Sequence, residues 1–137
     1  MSQLFLNPYV NFEGKCREAM EFYHAAVGGK LELSAFGDNG APRPAEGDEP
    51  IMHARLESDG LLLMASDGMQ GHQAKVGDNV GLAVGGTDSE RLHKIFDALS
   101  EGGNVTMKLE KAPLGDEYGQ FSDKFGINWM VNISKEA

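Results

Sequence analysis

Two separate stretches of this chain share one frame. Phe22 through Gly29 and Phe96 through Gly103 both read F-x-x-x-x-x-G-G, and an alternating, strand-like run follows each. Asp59-Gly60-Leu61-Leu62-Leu63-Met64 and the stretch from Lys124 to Met130 both set a turn glycine four residues ahead of a methionine. Local identities this short carry little weight alone. The order of elements around them repeats as well, and such a repeat is the mark of one supersecondary unit used twice. A chain built that way has two similar apolar faces to bury, which constrains its fold before any single residue is interpreted.

In chain order, Leu4 to Phe12 predicts a first strand with Leu4, Leu6, Pro8, Val10 and Phe12 on one face. Pro8 has no amide hydrogen, so this strand belongs at a sheet edge or carries a bulge. Cys16, Ala19, Met20, Tyr23, Ala26 and Val27 recur at three and four, the stripe of a helix over 15–27 that Gly28-Gly29 ends. Lys30 to Phe36 alternates as a strand, and 37–50, rich in Gly, Pro and acidic residues, predicts a long mobile loop. Strands over 51–57 and 61–66 flank the Ser58-Asp59-Gly60 turn, and a second polar loop covers 67–78. The pattern then restarts with a strand over 79–84. Thr87 and Glu90 form a capping box ahead of Leu92, Ile95, Phe96 and Leu99, and strands follow near 104–110, 116–122 and 127–133.

The last two strands form a hairpin whose turn is Asp123 to Gly126. Gly119 inside a strand pattern predicts a bulge or a close backbone approach. Ile127, Trp129, Val131 and Ile133 share the better core face, which puts Asn128, Met130 and Asn132 on the other. Tyr118, Gln120 and Ser122 alternate in the same way, so one face of this hairpin is mixed polar and suited to line a cavity.

Length and charge narrow the function classes. A chain of 137 residues fits one domain with a real core. The net charge of −9, from 12 basic and 21 acidic residues, argues against nucleic acid or an anionic membrane as partner. No signal segment and no apolar run long enough for a span is visible, and the single Cys16 cannot form an internal disulfide. The expected location is cytoplasmic, and Cys16 is expected as a small apolar helix residue.

A duplicated β-α-β-β-β unit resembles the vicinal oxygen chelate superfamily of glyoxalase I, bleomycin-resistance proteins and extradiol dioxygenases. Within it the chain is most similar to the PhnB-like group, also labelled 3-demethylubiquinone methyltransferase-like. The resemblance rests on Pro8-Tyr9-Val10-Asn11-Phe12, Cys16 to Tyr23, Ile51-Met52-His53-Ala54, and Tyr118 to Asp123 running on to Trp129. It implies an α+β fold of two β-α-β-β-β modules, 1–68 and 78–137, forming curled mixed sheets within a single domain, 1–137. It also implies a homodimer, because the sheet cups of this superfamily often close against a second subunit.

Metal-dependent members place a histidine, glutamine or glutamate on the first and last strand of each module. Carried over residue by residue, the first-strand positions are Asn7 (or Pro8, one register step away) and Asn79, and the last-strand positions are Met64 and Met130. Two amides and two soft thioethers suit a hard divalent cation poorly. No cofactor is therefore expected, with a divalent metal on other ligands as the alternative.

Other chemistries find less support. No histidine pair or cysteine cluster has zinc-ligand spacing, no G-x-G-x-x-G leads a strand into a helix, and no G-x-S-x-G elbow occurs. His24 and His93 sit on helices and His72 in the second loop, whereas His53 lies on a strand with Ile51, Arg55 and Glu57 on its face. Glu46, Asp48 and Glu49, like Asp116-Glu117, read as solvated acidic groups. Met52, Met64, Met107 and Met130 read as core filler or as an adaptable apolar wall. The expectation is thus a small-molecule binding protein with Asn7, His53, Met64, Asn79, Tyr118, Gln120 and Met130 lining its site. The alternative is an enzyme of lyase, isomerase or dioxygenase type, using a metal or His53 as acid and base.

Overall fold

The computed structural model describes residues 4, 6–36, 42–47, 49–68, 75–113 and 115–135. The chain divides into two units, Met1–Lys75 and Val76–Ala137. The first contains β1 (Tyr9–Asn11), α1 (Cys16–Val27), β2 (Lys30–Phe36), β3 (Pro42–Pro44), β4 (His53–Ser58) and β5 (Leu61–Ser66). The second contains β6 (Gly81–Gly86), α2 (Ser89–Ser100), β7 (Asn104–Lys111), β8 (Glu117–Ser122) and β9 (Asn128–Ile133).

The sheet orders are β1-β5-β4-β2-β3 and β6-β9-β8-β7. With β3 set aside they are the same sheet. In each, the first strand pairs parallel with the last, and the remaining pairs are antiparallel. The fold is therefore α+β, with two mixed sheets of repeated β-α-β-β-β order.

Each helix covers one face of its own sheet. On α1, Cys16, Ala19, Met20, Tyr23 and Val27 are buried, as are Ala54, Leu56, Leu63 and Ala65 on β4 and β5. Ala26, placed on that stripe by its spacing, is only half-buried. On α2, Leu92, Ile95, Phe96 and Leu99 are buried with Phe121, Trp129, Val131 and Ile133. Phe96 meets Phe121 edge-on at 5.0 Å between centroids, and Phe121 stacks on Trp129 at 6.5 Å. Gly119 has the close approach its position predicts, because a Cβ there would come within 2.8 Å of both Leu109 Cα and Phe96 Cε2. The facing strand β7 shifts register on either side of Met107.

Several boundaries differ from the expected ones for identifiable reasons. β1 covers Tyr9–Asn11 rather than Leu4 to Phe12, and Leu4 and Leu6 are fully exposed. Pro8 offers the sheet only its carbonyl, which accepts from Met64 N at 3.1 Å. β4 starts at His53 because Ile51 turns inward, buried, with its amide held by Asp67 Oδ2 at 2.7 Å. Ile51 thus leaves the face it would have shared with His53. β6 begins at Gly81, two residues later than the pattern suggests.

The expected loop over 37–50 contains the strand β3, which pairs with β2, and the Arg43 guanidinium grips the Glu49 carboxylate in a two-armed ion pair. Glu49 is thus an engaged group, while 37–41 and Asp48 lie outside the described residues. The N-cap of α2 is Asp88, whose Oδ1 accepts from Arg91 N at 3.1 Å, in place of a Thr87–Glu90 box. A carboxylate suits the positive end of a helix better than a hydroxyl does. At α1 the same service comes from a distance: Asp67 Oδ1 accepts from Gly14 N at 2.7 Å and Cys16 N at 2.9 Å.

Candidate functional site

Strand alternation sends every second side chain of each sheet to the face opposite its helix. In the second unit that face is built from three cross-strand rows. Gln120 stands opposite Met130, Tyr118 opposite Asn132, and Ser122 opposite Asn128. β6 supplies Ala83 beside Met130, Gly81 beside Asn128 and Gly85 beside Asn132, so the Met130 side chain has room. Its methyl lies over Gly81, where a Cβ would approach to 3.1 Å. β7 adds Met107, which faces Gln120, and Glu110, which faces Tyr118.

Hydrogen bonds fix this arrangement. Gln120 Nε2 donates to the Tyr118 hydroxyl at 2.8 Å, and that hydroxyl donates to Met130 Sδ at 3.3 Å. Ser122 Oγ donates to Asn128 Oδ1 at 2.8 Å, and Asn132 Nδ2 to Asp116 Oδ2 at 3.4 Å. Tyr118, Gln120 and Met130 are all half-buried, sheltered yet reachable.

The first unit repeats the layout with different chemistry. Met64 stands between Tyr9 on β1 and Arg55 on β4, as Met130 stands between Ala83 and Gln120. His53, two residues before Arg55, occupies the place that Tyr118 holds before Gln120. Its Nδ1 lies 3.4 Å from the Tyr9 hydroxyl, with the rings 5.8 Å apart. Two ion pairs share this face: Arg55 pairs with Glu57 at 3.3 Å and Lys30 with Glu32 at 3.1 Å.

Of the residues singled out by sequence, Tyr118, Gln120 and Met130 form one cluster, and His53 and Met64 flank Tyr9 in another. Asn7 is half-buried two residues ahead of Tyr9, and Asn79 is exposed ahead of β6. The first-strand residues that register with the two methionines are Tyr9 and Ala83. The sequence signals this strand through its apolar alternates, Pro8, Val10 and Phe12, and Tyr9 lies on the other face, where no local pattern marks it. None of Met52, Met64, Met107 and Met130 is buried, so core filling falls to Met20 instead.

The remaining titratable groups have other duties. Cys16 is fully buried, and burial, aided by the nearby Asp67 charge, pushes its thiol up to about 12. It is no nucleophile at neutral pH. His24 Nε2 meets Gly29 O at 2.9 Å at the end of α1. His93 Nε2 meets Glu117 Oε1 at 2.9 Å, and Ser89 Oγ reaches Glu117 Oε2 at 3.5 Å, so Glu117 joins α2 to β8 instead of standing in solvent. His72 lies outside the described residues. Among the described residues no group of three or more His, Cys, Asp and Glu side chains converges as a metal site needs, and no helix is long and apolar enough to cross a membrane.

Known proteins share this architecture. A family model described as 3-demethylubiquinone-9 3-methyltransferase matches residues 5–132. The crystal structure of protein PA1353 from Pseudomonas aeruginosa is 35% identical, with a TM-score of 0.82 over 98% of this chain and 100% of that one. A PhnB protein from Bacillus cereus is 23% identical, with a TM-score of 0.74 over 96% of this chain and 100% of that one. A glyoxalase/bleomycin resistance protein from Albidiferax ferrireducens T118, 13% identical, covers 94% of this chain and 96% of its own with a TM-score of 0.57. The last two are likenesses of fold.

Proposed function

The chain belongs to the 3-demethylubiquinone-9 3-methyltransferase family, the PhnB-like proteins of glyoxalase/bleomycin-resistance fold, and from that premise we propose that it binds a small organic molecule without a resident catalytic metal. One observation carries the reading: Gln120, Tyr118 and Met130 form a hydrogen-bonded, half-buried cluster on the face that the helix leaves uncovered. A methionine wall adapts to an apolar body, and a few fixed polar atoms orient it, which is how small-molecule sites are generally built. The first module has a matching cluster of its own, His53 and Met64 beside Tyr9 with Asn7 ahead of its first strand, and Asn79 lies ahead of the first strand of the second module. We place the two modules at 1–68 and 78–137 of one domain.

The donor set argues against a metal. At the last-strand positions stand two thioethers, and Met130 is engaged by a phenol, a neighbour no divalent cation requires. Methyl transfer, which the family's name suggests, gains no support either. Gly85 and Gly86 close β6 without a nucleotide fingerprint, and the Asp88 carboxylate already occupies the start of α2.

Thermal shift of untagged, chelator-treated protein against a library of small organic compounds tests the proposal. Stabilising compounds should appear, and Met130→Lys should abolish their effect. Stoichiometric metal by elemental analysis, with a metal-dependent stabilisation lost in His53→Ala, would overturn it.

A second reading, an acid–base enzyme, is favoured by the contact between His53 Nδ1 and the Tyr9 hydroxyl. It predicts turnover that vanishes in His53→Ala while ligand binding persists. A homodimer belongs to the proposal, and it is supported by the full exposure of Leu4 and Leu6, side chains that a second subunit would cover. A cytoplasmic location fits the single buried thiol.

A further inference from the structure

We propose that the second module selects an uncharged ligand carrying a hydrogen-bond donor and an acceptor side by side, as a carboxamide or lactam does. This rests on the binding reading above and names the class of molecule it takes.

The argument is hydrogen-bond bookkeeping on three side chains. A tyrosine hydroxyl has one proton. Gln120 Nε2 lies against the hydroxyl oxygen and donates to it, which leaves that proton for Met130 Sδ. In this amide orientation Gln120 Oε1 is turned away from the hydroxyl as an acceptor. The thioether is a weak acceptor. A ligand carbonyl therefore replaces it readily and takes the Tyr118 proton, while a ligand N–H donates to Gln120 Oε1. A donor and an acceptor separated by one carbon satisfy both positions at once. The body of the ligand then lies along Met107, Met130 and Ala83, which share the Gln120 row.

Charge completes the assignment. The rows through Ser122 and Gln120 contain no ionisable side chain, and the row through Tyr118 contains Glu110 alone, on the outer strand. The equivalent rows of the first module carry Lys30, Glu32, Arg55 and Glu57. Brought onto the Ser122 or Gln120 row, a carboxylate or ammonium would lose water with no counter-charge in that row. The duplicated faces have thus diverged: the rows of the first carry four charged side chains and those of the second Glu110 alone, and the Gln120 row, free of charge, lies beside the paired donor and acceptor.

The test uses the full chain with 13C-labelled methionine methyls, the Met130 signal being assigned by its loss in Met130→Leu. Benzamide, benzoate and benzylamine are titrated separately at neutral pH. Benzamide should shift the Met130 methyl saturably, and the two ions should not. Gln120→Leu and Tyr118→Phe should each weaken benzamide about fivefold or more, the effect of one net hydrogen bond. Gln120→Glu keeps the shape and adds a charge, so it should reverse the preference in favour of benzylamine. If benzoate or benzylamine shifts the wild-type Met130 methyl as strongly as benzamide, the assignment to uncharged ligands is wrong while the binding reading stands. If no probe moves any methionine methyl, the donor–acceptor assignment falls, and the library screen then judges the binding reading independently.

Discussion

Trp129 donates its indole Nε1–H to Asp123 Oδ2 at 2.8 Å, and Asp123 is 4% exposed. The same carboxylate accepts from Phe125 N at 2.8 Å and Ile127 N at 3.0 Å through Oδ1. One buried side chain thus closes the turn between β8 and β9 and fixes the largest aromatic of the second core. Asp123→Ala leaves three donors without that acceptor and should cost about 3 kcal/mol or more in urea unfolding. Asp123→Asn turns a donor toward the indole and should cost less. Adding Trp129→Phe to the asparagine variant should recover part of the loss, a coupling that a double-mutant cycle reads directly.

The glycine pairs at the helix ends make a matched experiment. Gly28 and Gly102 have φ of +73° and +79°, a backbone that glycine adopts without the strain a Cβ would bring. The glycine after each lacks space for a side chain: a Cβ on Gly29, whose φ is also positive at +89°, would sit 2.2 Å from Glu57 O, and one on Gly103 would sit 2.1 Å from Ser122 O. Gly29→Ala and Gly103→Ala should therefore each destabilise by at least 1–3 kcal/mol, roughly the overpacking range. Gly60→Ala, with no heavy atom within 4 Å of its Cβ, should change the unfolding midpoint little. Equal costs at Gly29 and Gly60 would show that backbone approach is not the reason for the repeat.

Those glycines also explain why so much of the fold could be read in advance. Gly29 and Gly103 are required by packing of backbone on backbone, so a strand must pass each at the same place, and the repeated frame encodes the repeated sheet. Apolar stripes such as Leu92, Ile95, Phe96 and Leu99 reveal a helix for the same reason, since burial enforces periodicity. Edges follow no such rule. β3 consists of Pro42, Arg43 and Pro44, a sequence that reads as loop, and it is a strand because β2 presents an open edge and Glu49 anchors Arg43. Asp67 caps α1 from more than fifty residues away, beyond the reach of any local pattern. At the site, alternation located Tyr118, Gln120 and Met130 on one face, but their hydrogen-bond directions depend on the register between β8 and β9. Tyr9 became visible only when the parallel pairing of β1 with β5 set it beside Met64.

Cys16 offers a test at alkaline pH. Its thiol is pushed from an ordinary value of 9.0 up to about 12, chiefly by burial. Between those values the unfolded chain sheds the proton and the folded chain keeps it, so the unfolded state binds fewer protons and stability falls as pH rises. Below pH 9 this contribution is intact. Cys16→Ala should flatten the decline in unfolding free energy between pH 9 and pH 12. The native thiol should also resist alkylation by iodoacetamide at pH 8 and react on unfolding. Rapid alkylation of the native protein would contradict the burial of α1's first turn.

Acid acts at the edge of the first unit's sheet, where β3 lies. The Glu49 carboxyl is held below the usual carboxylate range by its hydrogen bonds, first from the Arg43 guanidinium and then from the Glu46 amide. A carboxyl depressed in the folded state stabilises the fold above its unfolded value, near pH 4.5, and that contribution disappears as pH falls through the lower folded value. What it holds is local: Ala45 N donates to Leu33 O at 3.0 Å, the bond that continues the β2–β3 pairing. Hydrogen exchange at the Ala45 amide should therefore accelerate, relative to its intrinsic rate, as pH falls below 4.5 and before any change at Trp129. Arg43→Ala and Glu49→Gln should each produce the same local opening at neutral pH, with the global unfolding midpoint shifted only slightly, because the pair is partly exposed to solvent. Protection of Ala45 that is indifferent to pH and to both substitutions would mean that β3 is held by its backbone pairing with β2 alone.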